Sequence, residues 1–318
     1  MTGPLESFAA AVGPTDPVTC VGGRTQWEVG GTLDPGVREV SAPAGVVAHE
    51  PGEMIVRVRA GTTVADLQAA TAIGGQFVAL ECDDPERATV GGVLACGRSG
   101  VRRLGWGPVR DTVLEVTAVD STGGLIRAGA PLVKNVTGFD LCRLFVGSVG
   151  TLAFLGEVVL RCRPLPEVER WWSTEGVDPF GVFASLYRPL SVLWDGVTTW
   201  VGLAGYRADV DAQARAVLEG WEPLEHPPAS PGRSRHSLAP AALRTLADRM
   251  GSGDRWLAEV GVGVVHCDDR AAGRLEQSTH SAVVADLHRR VKDRFDPNGR
   301  LNPGRSPLPA AAPVEVAR

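Results

Sequence analysis

Thr89-Val90-Gly91-Gly92-Val93-Leu94-Ala95 and Gly147-Ser148-Val149-Gly150-Thr151-Leu152-Ala153 open and close the stretch, Thr89 to Glu157, around which this chain is organised. Glycines set among small β-branched residues leave main-chain N–H groups open to a closely packed ligand, a phosphate or a fused ring system. Alone, a Gly-Gly pair reads as a turn. An earlier cluster, Val21-Gly22-Gly23-Arg24-Thr25-Gln26, makes the clusters an ordered series. Neither the three-glycine dinucleotide fingerprint nor the Gly-Lys-Ser/Thr ending of a P-loop is present, so a cofactor here is held in another way.

Working outward, Val18 to Gly23 is a short apolar strand running into a glycine turn, with donors at Arg24, Thr25 and Gln26. Met54 to Ala60 alternates Val56 and Val58 with Arg57 and Arg59, the period of a half-buried strand. Thr62 or Thr63 then caps a helix with Val64, Leu67 and Ala70 on one face and Gly74-Gly75 at its end. Arg98, Arg102 and Arg103 lie among glycines and read as a solvated basic loop or, as a group, as a receiver for a phosphate or carboxylate. Val113 to Val119 and Leu125 to Ala128 flank Asp120-Ser121-Thr122-Gly123-Gly124 as a hairpin, and Asp140 to Val146 reads as a helix.

The character changes after Pro164-Leu165-Pro166. Ser191 to Trp194, Val197 to Leu203 and Trp256 to Cys267 read as strand regions, and Asp209 to Trp221 and Leu238 to Met250 as helices, which together fit an α+β cap with an antiparallel sheet. Trp200 reads as a core tryptophan or as the wall of a substrate cavity. His266, after Gly-Val-Gly-Val-Val, is the candidate catalytic base, its ordinary pKa lying near working pH, or else a histidine bonded at a sheet end. Val283, Leu287, Val291 and Phe295 mark a helix that Asp296-Pro297 stops.

The order Gly22-Gly23-Arg24-Thr25, Ala88-Thr89-Val90-Gly91-Gly92, Arg110-Asp111, Val133-Lys134-Asn135-Val136-Thr137-Gly138-Phe139-Asp140, Gly147 to Leu152, and Asp296-Pro297-Asn298-Gly299-Arg300-Leu301-Asn302-Pro303-Gly304 resembles the vanillyl-alcohol-oxidase (PCMH) type of FAD-binding protein. Within it the chain is similar to the FAD-binding subunits of glycolate oxidase. The resemblance implies an α+β fold: a two-part PCMH-type FAD-binding domain over residues 1–165, a cap over 166–283, a return to the FAD domain over 284–306 and a disordered tail over 307–318. It implies noncovalent FAD. The pyrophosphate falls to Gly22, Gly23, Arg24, Thr25 and Gln26, and the flavin or phosphates to Thr89, Val90, Gly91, Gly92 and Ala95. Gly150, Thr151 and Leu155 inherit ribose and adenine contacts, and Asn302 returns from the tail. Gly138 and Asn135 belong to the same motif, in which Lys134 is a flavin or substrate contact or a surface lysine. Ala153 stands where relatives commonly have glycine.

Composition bounds the partners. The chain has 318 residues, net charge −5 and 44% hydrophobic residues, an ordinary globular composition long enough for two cores and without the basic footprint of nucleic-acid binding. No apolar run approaches the roughly 18 residues of a membrane span, and no basic leader precedes an apolar core, which implies a cytoplasmic location. The six cysteines are scattered and contain no Cys-x-x-Cys, which excludes a local cluster or zinc knuckle, and the six histidines form no His-x-His or His-x-x-x-His pair, so no metal site is expected. Two readings follow: a FAD-dependent oxidoreductase, or flavoprotein subunit of one, oxidising a 2-hydroxy acid such as glycolate or D-lactate; and a FAD-holding electron-transfer or scaffold subunit without turnover of its own. The resemblance implies a second flavoprotein subunit and an iron–sulfur subunit as partners.

Overall fold

A computed structural model describes residues 3–131, 140–275 and 282–308. The chain divides into two compact units. The first comprises Met1–Ser99, Pro108–Leu165 and His280–Arg318, the second Gly100–Gly107 and Pro166–Thr279.

In the first unit the strand Phe154–Pro164 organises a wholly antiparallel sheet. Its apolar residues are long enough as a run to serve three partners: Ile55–Arg59, Val113–Val119 and, near its end, Gln76–Val78. Val46–Glu50 and Leu125–Gly129 complete the edges. Val56, Val58, Val116, Val158 and Leu160 are buried beneath the helices Val64–Ala72 and Val90–Cys96. The first helix starts where Thr63 Oγ1 accepts from Asp66 N at 3.1 Å; Thr62 instead accepts from Gly45 N at 2.8 Å. The stretch Thr89 to Ala95 is a helix start, with Thr89 Oγ1 accepting from Gly92 N at 3.2 Å.

A second, two-stranded parallel sheet joins Val18–Cys20 to Arg38–Val40, and Leu301 pairs in parallel with Val18 as a third element. This pairing explains the Asp-Pro-Asn-Gly-Arg-Leu-Asn run. Buried Asp296 accepts from Arg300 N at 3.1 Å, from Leu301 N at 2.7 Å and from Lys292 Nζ. Arg300, also buried, donates to the carbonyls of Asp16, Ser121 and Val12 at 3.1, 3.0 and 2.8 Å. The C-terminal segment is thereby fastened across the first unit. The expected helix is Ala282–Phe295; Val291 and Phe295 pack on the core, while Val283 and Leu287 are exposed.

The second unit is a seven-stranded antiparallel sheet in the order Glu222–Leu224, Val168–Glu175, Thr198–Gly205, Ser191–Trp194, Trp256–Glu259, Val264–Cys267, Ser234–Ser237. Gly261 and Gly263, at φ 83° and 87°, turn the expected strand region into a hairpin. Trp200 is half-buried and packs with Trp171, Leu190, Leu193 and Leu257, as a core residue does. The helix expected over Leu238 to Met250 is instead a 3-10 turn, Pro240–Thr245, followed by the short helix Leu246–Arg249: Pro240 holds Ala239 extended at ψ 133°, and Thr245, at φ −107° and ψ 11°, breaks the run between the two pieces. Residues 100–107 join this sheet: Gly105 N donates to Leu190 O at 3.0 Å, Ser191 Oγ to Val101 O at 2.7 Å, and Arg102 forks onto Glu169 at 2.6 and 2.8 Å.

Candidate functional site

Within the first unit, four chain segments converge on one cleft with about 900 Å³ of space between protein atoms. Its walls are the Gly22–Trp27 loop, the helix start around Gly91 and Gly92, the Ser148–Gly150 turn leading into Phe154, and Asn302 with Arg305 from the C-terminal segment.

The glycines decide how closely these segments approach. A Cβ on Gly23 would lie 1.7 Å from Arg87 O, and one on Gly22 2.3 Å from Thr89 Oγ1, so the loop seats against the helix start only with glycine at both positions. The same crowding positions Gly91, whose Cβ would meet Ala60 at 2.8 Å.

The two loops differ in their main-chain donors. At the helix start the amides are spent inside the protein: Val90 N on Thr62 O at 2.9 Å, Gly91 N on Ala60 O at 2.7 Å, Gly92 N on the Thr89 cap. In the first loop the amides from Gly22 to Trp27 donate no hydrogen bond among the described residues. Three of its carbonyls are nevertheless engaged, that of Gly23 by Arg87 at 3.2 Å, that of Gln26 by Val29 N at 3.2 Å and that of Trp27 by Arg305 at 2.9 Å. A run of free N–H groups beside satisfied carbonyls is a built anion cradle.

Three buried side-chain atoms on the cleft also lack partners: Gln26 Oε1, Asn302 Oδ1 and Arg305 Nε. Buried polar atoms in folded proteins are nearly always bonded, so these mark where a ligand completes the site. Backbone strain concentrates at the same place. Arg24, Val149 and Asn302 adopt φ of 57°, 54° and 49°, and the β-branched Val149 is the costliest of the three in that region. Asn302 Nδ2 donates to Val149 O at 2.6 Å, and a Cβ on Gly150 would come within 2.7 Å of that nitrogen. Neutral acceptors, free amides and a guanidinium in one cleft fit an extended cofactor with a diphosphate and hydroxyl groups, which is the chemistry of FAD.

Of the residues expected at the cofactor, Gly22, Gly23, Arg24, Thr25, Gln26, Thr89, Gly91, Gly92, Ala95, Gly150, Leu155 and Asn302 line this cleft. Val90 and Thr151 do not line it; both are buried, Val90 in the core and Thr151 with its hydroxyl on Ser148 O at 2.7 Å. Lys134, Asn135 and Gly138 lie outside the described residues, as does the tail from residue 309. Arg24 is forked onto Glu39 at 2.6 and 2.7 Å, so its charge is already matched. Arg102 and Arg103 belong to the second unit. Sequence reasoning passed over Arg305, Trp27 and Val149, all on the cleft; Cys20 and Cys96, which left a covalent attachment of the flavin open, also line it. For Arg305 the signal was there: it follows the Asn302-Pro303-Gly304 run directly. Burial pushes the Cys20 thiol up to about 12 and the Cys96 thiol to about 11, so neither is a thiolate at neutral pH.

His266 lies in the second unit, half-buried, its Nε2 2.7 Å from Oε1 of the buried Glu259. The imidazole therefore has a carboxylate partner, while the other oxygen of Glu259 has none. No helix among the described residues is long and apolar enough to cross a membrane.

This fold and cleft define a FAD-binding oxidoreductase, and comparison with known proteins agrees. The model of the FAD binding domain family matches residues 7–129. Glycolate oxidase subunit GlcE of Escherichia coli (strain K12) is 30% identical over 95% of both chains. Glycolate oxidase subunit GlcD of Bacillus subtilis (strain 168) is 35% identical over 36% of this chain and 24% of its own. The structure of an alkyldihydroxyacetonephosphate synthase superposes over 94% of this chain and 74% of its own, with TM-score 0.69 and 14% identity, a likeness of fold. The chain belongs to the vanillyl-alcohol-oxidase (PCMH) type of FAD-binding oxidoreductases, and to the branch that contains GlcE.

Proposed function

We propose that this chain is the FAD-holding subunit of a 2-hydroxy-acid oxidase of the glycolate oxidase type, working beside a second flavoprotein subunit and an iron–sulfur subunit in the cytoplasm. The observation that carries the reading is the coverage of the likeness. It runs over 95% of both chains with GlcE but over only 24% of GlcD. FAD, when bound, supplies two-electron oxidation and one-electron transfer; the protein supplies position and charge. The first unit contributes the amide loop Gly22–Trp27, the acceptors of Gln26 and Asn302, and the Arg305 cation to hold it. Thiols protonated by burial and free of disulfides fit a reducing compartment and a flavin attached without a thioether bond.

A second reading, turnover by the chain itself, is favoured by the His266–Glu259 pair. A carboxylate that fixes an imidazole leaves its other nitrogen to take a proton from a substrate hydroxyl. Anaerobic mixing with glycolate or D-lactate separates the two. As a subunit, the isolated chain keeps its flavin oxidised with both acids, and reduction appears once partner subunits are added. If the isolated chain bleaches, and His266→Ala slows this by roughly 10² to 10⁴, the chain is the dehydrogenase. Fast bleaching unchanged in His266→Ala defeats the subunit reading and His266 as the base.

A further inference from the structure

The cleft holds one guanidinium whose charge no carboxylate matches. Arg24 is paired with Glu39, whereas Arg305 has no ion pair among the described residues. Its Nη2 donates to Trp27 O at 2.9 Å, its Cζ stands 4.0 Å from the centre of the Trp27 ring, and its buried Nε donates to nothing. Burial pulls its pKa down; the nearby Cys96 opposes this and Arg24 adds to it, with no acidic side chain contributing. A partly buried guanidinium with its Nε sealed from solvent and no counter-charge is costly, and proteins keep one where a ligand supplies the anion.

The segment that carries it is fixed in place. Asp34 N donates to Pro303 O at 3.0 Å and Ser306 N to Gly30 O at 2.8 Å. Between them Gly304 has φ 84° and passes so close to Thr32 and Asp34 that a Cβ would fall within 2.7 Å of both. Arg305 is thus held beside the six free amides of Gly22–Trp27 before any ligand arrives. Oxidised FAD has a neutral ring system and carries its negative charge on the diphosphate.

We propose that Arg305, seated on Trp27, is the cationic partner of the FAD diphosphate, and that Arg24, committed to Glu39, is not. The inference rests on the chain being a FAD-holding subunit.

The test is titration of the deflavinated full-length chain with FAD and with riboflavin, which lacks the phosphates, followed by flavin fluorescence. Arg305→Gln is expected to weaken FAD binding by about 10- to 100-fold, the scale of a charged hydrogen-bond pair, and to leave riboflavin within about twofold. Arg305→Lys, which keeps the charge without the fork, is expected to lose no more than about tenfold for FAD. It serves as the test if Arg305→Gln does not fold, because any FAD loss it shows must then exceed its riboflavin loss. Equal weakening of both ligands, or no change in either, overturns the proposal. Wild-type chain that binds neither ligand overturns the FAD-holding reading itself, and the proposal with it.

Discussion

Gly23 and Gly92 line the same cleft and are constrained by different physics. At Gly23 a methyl group would overlap Arg87 O at 1.7 Å, so Gly23→Ala must move the loop off the helix start. At Gly92 an added Cβ meets only Thr89 Oγ1, at 3.1 Å, and the position is exposed to the cleft. Gly92→Asp is therefore expected to fold, with a melting temperature within a few degrees of wild type. Its carboxylate stands where an anionic cofactor must lie, so FAD affinity should fall by about 100-fold or more, since an unmatched charge covered by a ligand costs several kcal/mol. Gly23→Ala should instead lower the melting temperature of the flavin-free protein, by an overpacking cost of about 1–3 kcal/mol. Calorimetry of both variants with and without FAD checks the pair; flavin retained by Gly92→Asp would mean that this turn only shapes the fold. The glycine clusters were legible because close approach leaves a mark in residue type. Which amides stay free was not, because the partners of Val90 and Gly91 are carbonyls about thirty residues away, and carbonyls carry no sequence signal.

At the scale of elements, the strand Val113–Val119 carries a buried charge. Burial alone raises the pKa of Glu115, but hydrogen bonds and charges from Arg127 and Arg57, at 2.7 and 2.9 Å, outweigh it and hold the carboxyl below its ordinary value. A folded-state pKa below the unfolded one stabilises the protein above the ordinary carboxylate range, and that stability is lost as pH falls through the folded value. Glu115→Gln is accordingly expected to cost about 1–3 kcal/mol at pH 7 and progressively less below about pH 4. Urea unfolding at several pH values measures this; a cost independent of pH would show that Glu115 acts through shape. Period-two alternation made Met54 to Ala60 legible, the Asp120–Gly124 turn marked the hairpin after Val113, and the pair Thr62-Thr63 announced the helix that Thr63 caps. Ser234–Ser237 escaped notice because Ser-Arg-His-Ser has no apolar alternation, and it is a strand only through pairing with Val264–Cys267. Leu238 to Met250 misled in the opposite sense, its leucine spacing being helical while Pro240 keeps Ala239 extended and Thr245 leaves the helical region before Leu246.

For the whole molecule, the first unit is assembled from both ends of the chain. Leu301 pairs with Val18, and Arg300 binds carbonyls at Val12, Asp16 and Ser121, so the cleft exists only once the C-terminal segment has returned. That return was visible in the Asp-Pro-Asn-Gly-Arg-Leu-Asn-Pro-Gly run, although the residue immediately after it, Arg305, carries the unmatched charge. Arg102 and Arg103 of the glycine-rich loop, by contrast, went to the second unit, because Gly105 fits against Leu190, a fit that local composition does not encode. The first unit's cleft offers hydrogen bonds and charge, and no thiolate, to hold FAD. Acid precipitation of the purified full-length chain tests this directly. It should be yellow, with about one flavin per chain for the one FAD cleft of the first unit, and release intact FAD into the supernatant; colour that stays in the pellet, or a colourless protein that takes up no added FAD, would contradict it.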